Sequence, residues 1–133
     1  MALLFAVLTV GMLAMAGLVI DGGAALAARG RAADVAQQAA RAGADALAPG
    51  SLRASGPAGL RIDPAAARAA ADRVLVAGQV TGQVRVAGDT VTVRAQLRRP
   101  TALLSAVGLT EVSGAASATA TVLYGGTGQD GPR

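Results

Sequence analysis

The chain has 133 residues, enough for one small domain with an appendage. It contains no Cys, His, Lys or Trp, which excludes disulfides and Cys-ligated metal sites. The net charge of +4 comes from arginines scattered beyond residue 48, and without a basic cluster or an aromatic platform nucleic-acid binding is not expected. With 2% aromatic residues the core must be thin, so we expect contacts with a membrane, a partner or copies of itself to contribute to the stability of the domain.

Residues 1–20, MALLFAVLTVGMLAMAGLVI, carry no charged side chain. As a helix they would reach about 30 Å, the thickness of the hydrocarbon core of a bilayer. A cleaved signal peptide is the main alternative, but the basic segment that precedes such signals is missing. A buried helix of a soluble core would rarely be this long. The pattern therefore favours a membrane anchor.

The charges next to this span give an ambiguous orientation. Arg29 and Arg31 follow the span and no basic residue precedes it, so the positive-inside rule taken literally places the rest of the chain in the cytoplasm. Asp21 stands directly at the predicted membrane exit, where a carboxylate is not expected to be buried without a partner.

Residues 24–48 are predicted to be helical because they are rich in Ala, lack Pro and stop at Pro49-Gly50. This segment would either continue the first helix as one rod of roughly 70 Å or bend away from it at Gly22-Gly23. A polar stripe with Arg31/Asp34 and Arg41/Asp45 at salt-bridging spacing runs along it.

A stripe of small apolar residues lies beside the polar one. We interpret it as a packing surface toward the chain's own domain and toward neighbouring copies, although an Ala-rich genome could produce the same run. If copies pack there, leucines at positions 32 and 39 should disturb assembly and leave the domain folded. The stripe comprises Ala28, Ala32, Val35, Ala39, Ala42 and Ala46.

Beyond the stem, residues 49–60 form a predicted linker rich in Pro, Gly and Ser. A short helix follows, with Asp63 as its N-cap, Pro64 in its first turn and Gly78 at its C-terminal cap.

Alternating valines on both sides of Gly88-Asp89 then predict a β-hairpin. A second short helix, opened by Pro100 and capped by Gly108, leads to a third strand. The predicted class is α+β: a long N-terminal helix followed by a three-stranded antiparallel sheet with one or two short helices. The predicted division is an apolar helix 1–20, a stem 21–48, a linker 49–60, a domain 61–124 and a disordered tail 125–133.

The sequence offers no candidate catalytic constellation. Without His, Cys or Lys, the remaining groups are hydroxyls and eight acids at no suggestive spacing. No phosphate-binding loop or metal motif is present in the sequence. We therefore expect neither an enzyme nor a cofactor, metal or small-molecule substrate.

The run LVIDGGAALAARGRAADVAQQAARAGADAL, within residues 10–48, resembles the N-terminal module of TadE/TadG-like proteins of the tight-adherence (Flp) pilus assembly system. The remainder is similar, more loosely, to the small extracytoplasmic domains of short actinobacterial members. The matching residues are Asp21, Gly23, Leu26, Arg29, Arg31, Asp34, Gln38, Ala39, Ala40 and Gly43.

The resemblance implies a single-pass protein of the cytoplasmic membrane with its C-terminal domain outside, or a subunit incorporated in a surface pilus. Its implied partners are the lipid bilayer, copies of itself or other pilin-like subunits, and the Tad secretion machinery. Members of the family begin with a basic segment before the span, whereas this sequence starts at Met1-Ala2-Leu3, and we expect Arg codons upstream of Met1.

From the resemblance we take the exit and stem contacts to be Asp21, Gly22, Gly23, Arg29, Arg31, Asp34 and Arg41. The alternative function is a secreted or envelope-anchored binding module whose N-terminal signal is cleaved after about residue 16.

Overall fold

The computed structural model describes residues 1–48 and 61–122, so the predicted linker 49–60 and tail 125–133 lie outside the described residues. The class is α+β, as predicted, with a long helix, a short helix and three antiparallel strands. The elements are α1 (Ala2–Ala44), α2 (Pro64–Ala77), β1 (Thr81–Ala87), β2 (Thr90–Pro100), a 3-10 helix (Leu104–Val107) and β3 (Glu111–Thr121).

Helix α1 is continuous, so the alternative of a single rod is the correct one and Gly22-Gly23 does not break it. Its 43 residues extend about 65 Å. In the first half, the bulky apolar side chains are exposed on all sides. The hydroxyl of Thr9 donates a hydrogen bond to the carbonyl of Phe5 at 2.8 Å, which satisfies the polar group within the helix itself.

The helix ends at Ala44, four residues before the predicted end at 48. Beyond it the chain pairs with the segment that precedes α2: the Ala48 amide donates to the Arg61 carbonyl at 2.7 Å, and the Asp63 amide donates to the Ala46 carbonyl at 3.0 Å. These tertiary hydrogen bonds replace those that another helical turn would have made, and they outweigh the helix propensity of alanine.

Helix α2 begins as predicted. The Asp63 carboxylate accepts hydrogen bonds from the amides of Ala65 at 2.9 Å and Ala66 at 3.1 Å, and Pro64 follows it. The other end differs in detail, because Gly78 keeps a right-handed backbone and Gln79 takes the positive φ of 55°. Gly78 is needed for space, since a Cβ there would lie 2.8 Å from a methyl group of Val35.

The sheet has the order β1-β2-β3, and both pairs are antiparallel. Gly88, with φ of +61°, takes the first position of the two-residue turn between β1 and β2, so the predicted hairpin is confirmed. Alternation directs Val91, Val93 and Ala95 of β2 into the core and leaves Arg94 exposed.

The two helices cover this inner face of the sheet. The core consists mostly of alanine and valine with Ile62 and Leu75, so it is thin, as the composition predicts. Val91 and Val93 are its largest fully buried apolar side chains, and burial of each contributes about 1.5–3 kcal/mol to stability.

Strand β3 comes closest to α1 at Gly114. A Cβ at that position would lie 2.5 Å from the Cα of Arg29 and 2.6 Å from the carbonyl carbon of Ala28. Only glycine therefore allows the strand to rest directly on the helix backbone.

Candidate functional site

Asp21, the first charged residue after the apolar run, is buried, with only 1% of its surface exposed. Its carboxylate accepts three backbone hydrogen bonds from a segment more than 80 residues away. One oxygen takes the Ala102 amide at 2.8 Å, and the other takes Leu103 at 3.0 Å and Leu104 at 2.7 Å. Such charge-assisted bonds are among the stronger ones in proteins.

These three amides stand at the start of the 3-10 helix Leu104–Val107. Leu103 is the residue at the N-cap position of that helix, and its side chain makes no capping hydrogen bond. Amides at a helix start have no partner within the helix, so a side chain must satisfy them. Here α1 supplies that side chain, and Asp21 caps a helix in a distant part of the sequence.

The hydrogen bonds lower the pKa of Asp21. The Ala102 amide is the largest cause, Leu104 and Leu103 act in the same direction, and desolvation by burial opposes them. The group is therefore ionised at neutral pH, and its charge is stabilised by three aligned N–H groups.

Gly17 lies one helical turn before Asp21 on the same side of α1 and is also buried. A Cβ at Gly17 would lie 3.2 Å from the Cβ of Leu103, so the absence of a side chain lets the loop approach the helix. Gly17 and Asp21 together hold the β2–β3 loop, residues 101–110, against the last turn of the apolar run.

The β2–β3 loop is closed by hydrogen bonds of its own. The Thr101 amide donates to the Thr110 carbonyl at 3.0 Å, the Leu109 amide donates to the Leu104 carbonyl at 3.1 Å, and the Thr101 hydroxyl donates to the Leu109 carbonyl. Gly108 adopts a φ of +91° where the 3-10 helix ends, which fulfils its predicted role as a cap. The predicted second helix is shorter than expected: it is a 3-10 helix of four residues, and Pro100, predicted to open it, is the last residue of β2.

The other predicted exit and stem residues do not gather around Asp21. Gly22 is half-buried and Gly23 is exposed, and a Cβ added to either would meet no atom within 4 Å. The four remaining residues, Arg29, Arg31, Asp34 and Arg41, are exposed along the stem.

Salt-bridging spacing did not produce the predicted ion pairs along the stem. In the described part of the chain, the one ion pair within 4.0 Å joins Arg98 and Glu111, and both side chains are largely exposed. Exposed pairs on a helix stabilise it by only a few tenths of a kcal/mol, too little to hold long side chains in one geometry.

The predicted small-residue stripe lies in the core of the chain's own domain. Ala28, Ala32, Val35 and Ala39 are buried, whereas Ala42 and Ala46 are half-buried. Ala32 and Ala39 have no exposed surface, so leucine at these positions would overpack the domain itself. From this burial we expect such substitutions to destabilise the domain itself, in contrast to the expectation from the sequence.

The residues that complete this site are not among those predicted from the sequence: Gly17, the amides of residues 102–104, and Gly114. One signal was present, since a carboxylate directly after an apolar span calls for a partner. No local pattern identified the partner. Within residues 1–48 and 61–122, no three acids come close enough to hold a metal ion.

Among the described residues, α1 is the one helix that is long and apolar enough to cross a membrane. It fits a single-pass anchor.

No curated protein and no solved structure shows significant similarity to the chain. Residues 1–46 match the family model described as "Putative Flp pilus-assembly TadE/G-like". The matched segment is α1 almost end to end, with the apolar span, Asp21 and the stem. The resemblance is thus confirmed for this part: residues 1–46 are similar to the TadE/G-like Flp pilus-assembly family.

Proposed function

We propose that the chain is a non-enzymatic, membrane-anchored pilus-assembly or minor-pilin-like protein of the Tad/Flp type. The observation that carries the proposal is the coincidence of the family match at residues 1–46 with one unbroken helix, Ala2–Ala44. Residues 1–20 serve as the anchor, and the domain from residue 61 onward stands on the stem in the extracytoplasmic space.

The anchor is the part of α1 that the domain leaves uncovered. Val7, Leu8 and Leu13 are 67%, 55% and 64% exposed, on three different sides of the helix. Large apolar side chains exposed all round a helix require lipid or other apolar helices as surroundings. Both environments belong to the proposed function, because such a helix lies either in the bilayer or in the core of a filament.

Contacts with other subunits would use the uncovered side of the stem. Leu26 is 73% exposed there, and Gly23 and Gly30 near it have no neighbouring atoms within 4 Å of an added Cβ. The exposed Arg29, Arg31, Asp34 and Arg41 flank this side, so we assign them to subunit contacts and keep Asp21 as an internal contact.

Membrane topology can be tested with single cysteines, because the chain has none of its own. Ser117→Cys places a thiol on the exposed face of the sheet, and Ala2→Cys places one at the other end of the span. With a membrane-impermeant maleimide on protoplasts, we expect Ser117→Cys to react at once and Ala2→Cys to react only after permeabilisation.

The reverse labelling pattern would place the domain in the cytoplasm, as the literal positive-inside rule does, and would overturn the proposed topology. A labelled chain in the medium that lacks the apolar run would instead establish the secreted module with a cleaved signal. That alternative gains some support from the structure, since most of the first sixteen side chains are exposed and the domain does not need them.

Subunit contacts can be tested by cross-linking with a matched control. Leu26→Cys and Val76→Cys replace side chains of similar exposure, 73% and 77%, but Val76 lies on α2 rather than on the stem. In cells that assemble pili, we expect a short bifunctional maleimide to join Leu26→Cys chains to other copies that carry the same cysteine. Equal products from both variants would contradict the stem as the contact surface.

A further inference from the structure

The β2–β3 loop joins two strand ends beside the apolar run of α1, and it contains no charged residue from Thr101 to Thr110. Leu103 is 43% exposed and Leu109 is 57% exposed, while the loop is fixed to the helix at Gly17 and Asp21. Leu103 therefore stands next to the last turn of the segment assigned to the membrane, and Leu109 is held in the same loop by the bond from its amide to the Leu104 carbonyl.

We propose that this loop is a second membrane contact, in which Leu103 and Leu109 enter the headgroup–acyl boundary of the bilayer. The inference rests on the proposed function, because it requires residues 1–20 to span the membrane. Its occupant is lipid, since the loop has no charged residue of its own and the charged group between loop and span, the Asp21 carboxylate, is buried and hydrogen-bonded.

The depth follows from the contact with Gly17. This residue lies four positions before Asp21, which is about 6 Å along the helix axis toward the membrane. Leu103 packs at that level, so its side chain lies beside the end of the apolar run. If Ile20 marks the membrane boundary, Leu103 cannot remain in bulk water.

Most backbone amides of the loop are hydrogen-bonded within the protein, as a poorly hydrated environment requires. Peptide groups that enter the apolar region must be hydrogen-bonded within the protein. Asp21 accepts the amides of residues 102–104, and the amides of Thr101, Ala106, Gly108 and Leu109 all donate to carbonyls within the loop. The three bonds at Asp21 thus serve the loop as well as the carboxylate.

Charged residues border the loop where the headgroups would lie. Arg98 and Arg99 precede it and Glu111 follows it, and all three are exposed. Long arginine side chains at the boundary of an apolar surface reach toward lipid phosphates while their stems stay near the acyl chains. With the loop as a second membrane contact beside the span, the tilt and rotation of the domain relative to the bilayer would be restricted to one orientation.

The absence of tryptophan allows a direct measurement, because each introduced Trp is the only one in the full-length chain. Four variants would be reconstituted in phosphatidylcholine vesicles, with or without bromine on the acyl carbons nearest the headgroup. Leu103→Trp and Leu109→Trp report on the loop. Phe5→Trp reports on the span. Val76→Trp is an exposed control far from the proposed membrane boundary. Its neighbour in sequence, Gly78, packs against Val35, and Val35 lies about 21 Å beyond Asp21 along α1.

We expect bromine to cause a loss of emission at positions 103, 109 and 5 and none at position 76. Quenching at position 5 without quenching at 103 and 109 would overturn the loop contact and leave the anchor intact. No quenching at position 5 would instead refute the anchor, and with it the proposed function. Leu109→Trp keeps the test valid if Trp at 103 disturbs the packing on Gly17.

Two further outcomes would also overturn the proposal. Blue-shifted emission at 103 and 109 that bromine does not quench would mean that another protein chain, not lipid, covers the loop. Quenching of Val76→Trp as strong as that of Leu109→Trp would mean that the whole domain lies on the bilayer, so that the loop is not the specific contact.

Discussion

The two halves of α1 belong to one unbroken helix, but they meet different surroundings. Residues 2–20 expose nearly every side chain, including leucine, methionine and phenylalanine. Residues 21–44 bury one side of the helix in the domain, almost entirely through alanine and glycine. The change occurs between Gly17 and Asp21, where the helix meets the β2–β3 loop.

The difference indicates that residue size, and not hydrophobicity alone, separates the half that packs in the domain from the half that the domain leaves uncovered. Small residues let strand β3 and helix α2 approach the stem closely, and at Gly114 the strand touches the helix backbone. Large residues on the first half would prevent such an approach, and they present more apolar surface to lipid.

The largest effect is expected from Gly114→Val, because its Cβ would collide with the backbone at Ala28 and Arg29. Overpacking against an immobile backbone should lower the free energy of unfolding by about 3 kcal/mol or more. Denaturant unfolding of the detergent-solubilised chain, followed by circular dichroism, would measure the loss. Gly30→Ala is the control, since nothing lies near a Cβ there, and an unchanged midpoint for Gly114→Val would contradict the close contact.

A smaller loss should follow from Ala39→Leu in the buried stem. Ala39 is fully buried, so the larger side chain should cost about 1–3 kcal/mol of domain stability. Leu8→Ala in the exposed half should leave domain unfolding unchanged, because Leu8 makes no contribution to the core. The same unfolding measurement compares the two variants, and equal losses would remove the distinction between the halves.

Where the two halves of α1 meet, Asp21→Asn should loosen the β2–β3 loop and leave the core of the domain unchanged. The substitution keeps the shape of the side chain, but it removes the charge and replaces one accepting oxygen with an NH2 group that cannot accept, so at least one of the three hydrogen bonds to the loop is lost. Hydrogen exchange should become faster at the amides of residues 102–104, with little change at Val91 or Val93 in the core strand. Asp34→Asn, at an exposed position, should change neither region. Unaltered exchange at 102–104 would show that the carboxylate does not hold the loop.

The smallest effect is a pH dependence of the same contact. The pKa of Asp21 is lowered in the folded protein from its ordinary value of 3.8, so the carboxylate contributes stability that is fully present above 3.8. That contribution is lost as pH falls through the lower, folded-state pKa. Exchange at residues 102–104, corrected for the intrinsic effect of pH, should accelerate only below 3.8, and Asp21→Asn should abolish this dependence. Acceleration near neutral pH would contradict the assignment.

Most of the fold could be read from local patterns. Asp63 and Pro64 predict the start of α2 correctly. The alternating valines around Gly88 predict the hairpin, and the burial of Val91 and Val93 confirms which face of β2 points into the core. These features depend on neighbours within a few residues. The end of α1 was predicted four residues too late, because its position is decided by pairing with Arg61 and Asp63, beyond the predicted linker.

The site was harder to predict because its contacts are non-local. Asp21 was recognised as a residue at the membrane exit, but its partners lie more than 80 residues further along the chain. The periodicity of alanines located the buried side of the stem and could not tell the chain's own domain from a neighbouring copy. Gly114 resembled one more small residue in a strand, and only the approach of the helix explains it.

The continuity of α1 through Gly22-Gly23 also fixes the helical phase between anchor and domain. Asp21 meets the loop and Ala28 meets β3, and seven residues later on a helix is about two full turns, so both contacts lie on one side. One residue inserted between them would rotate the anchor by about 100° relative to the domain. Residues 22–27 therefore act as a helical spacer of set length, and this length determines which way the domain faces relative to the anchor.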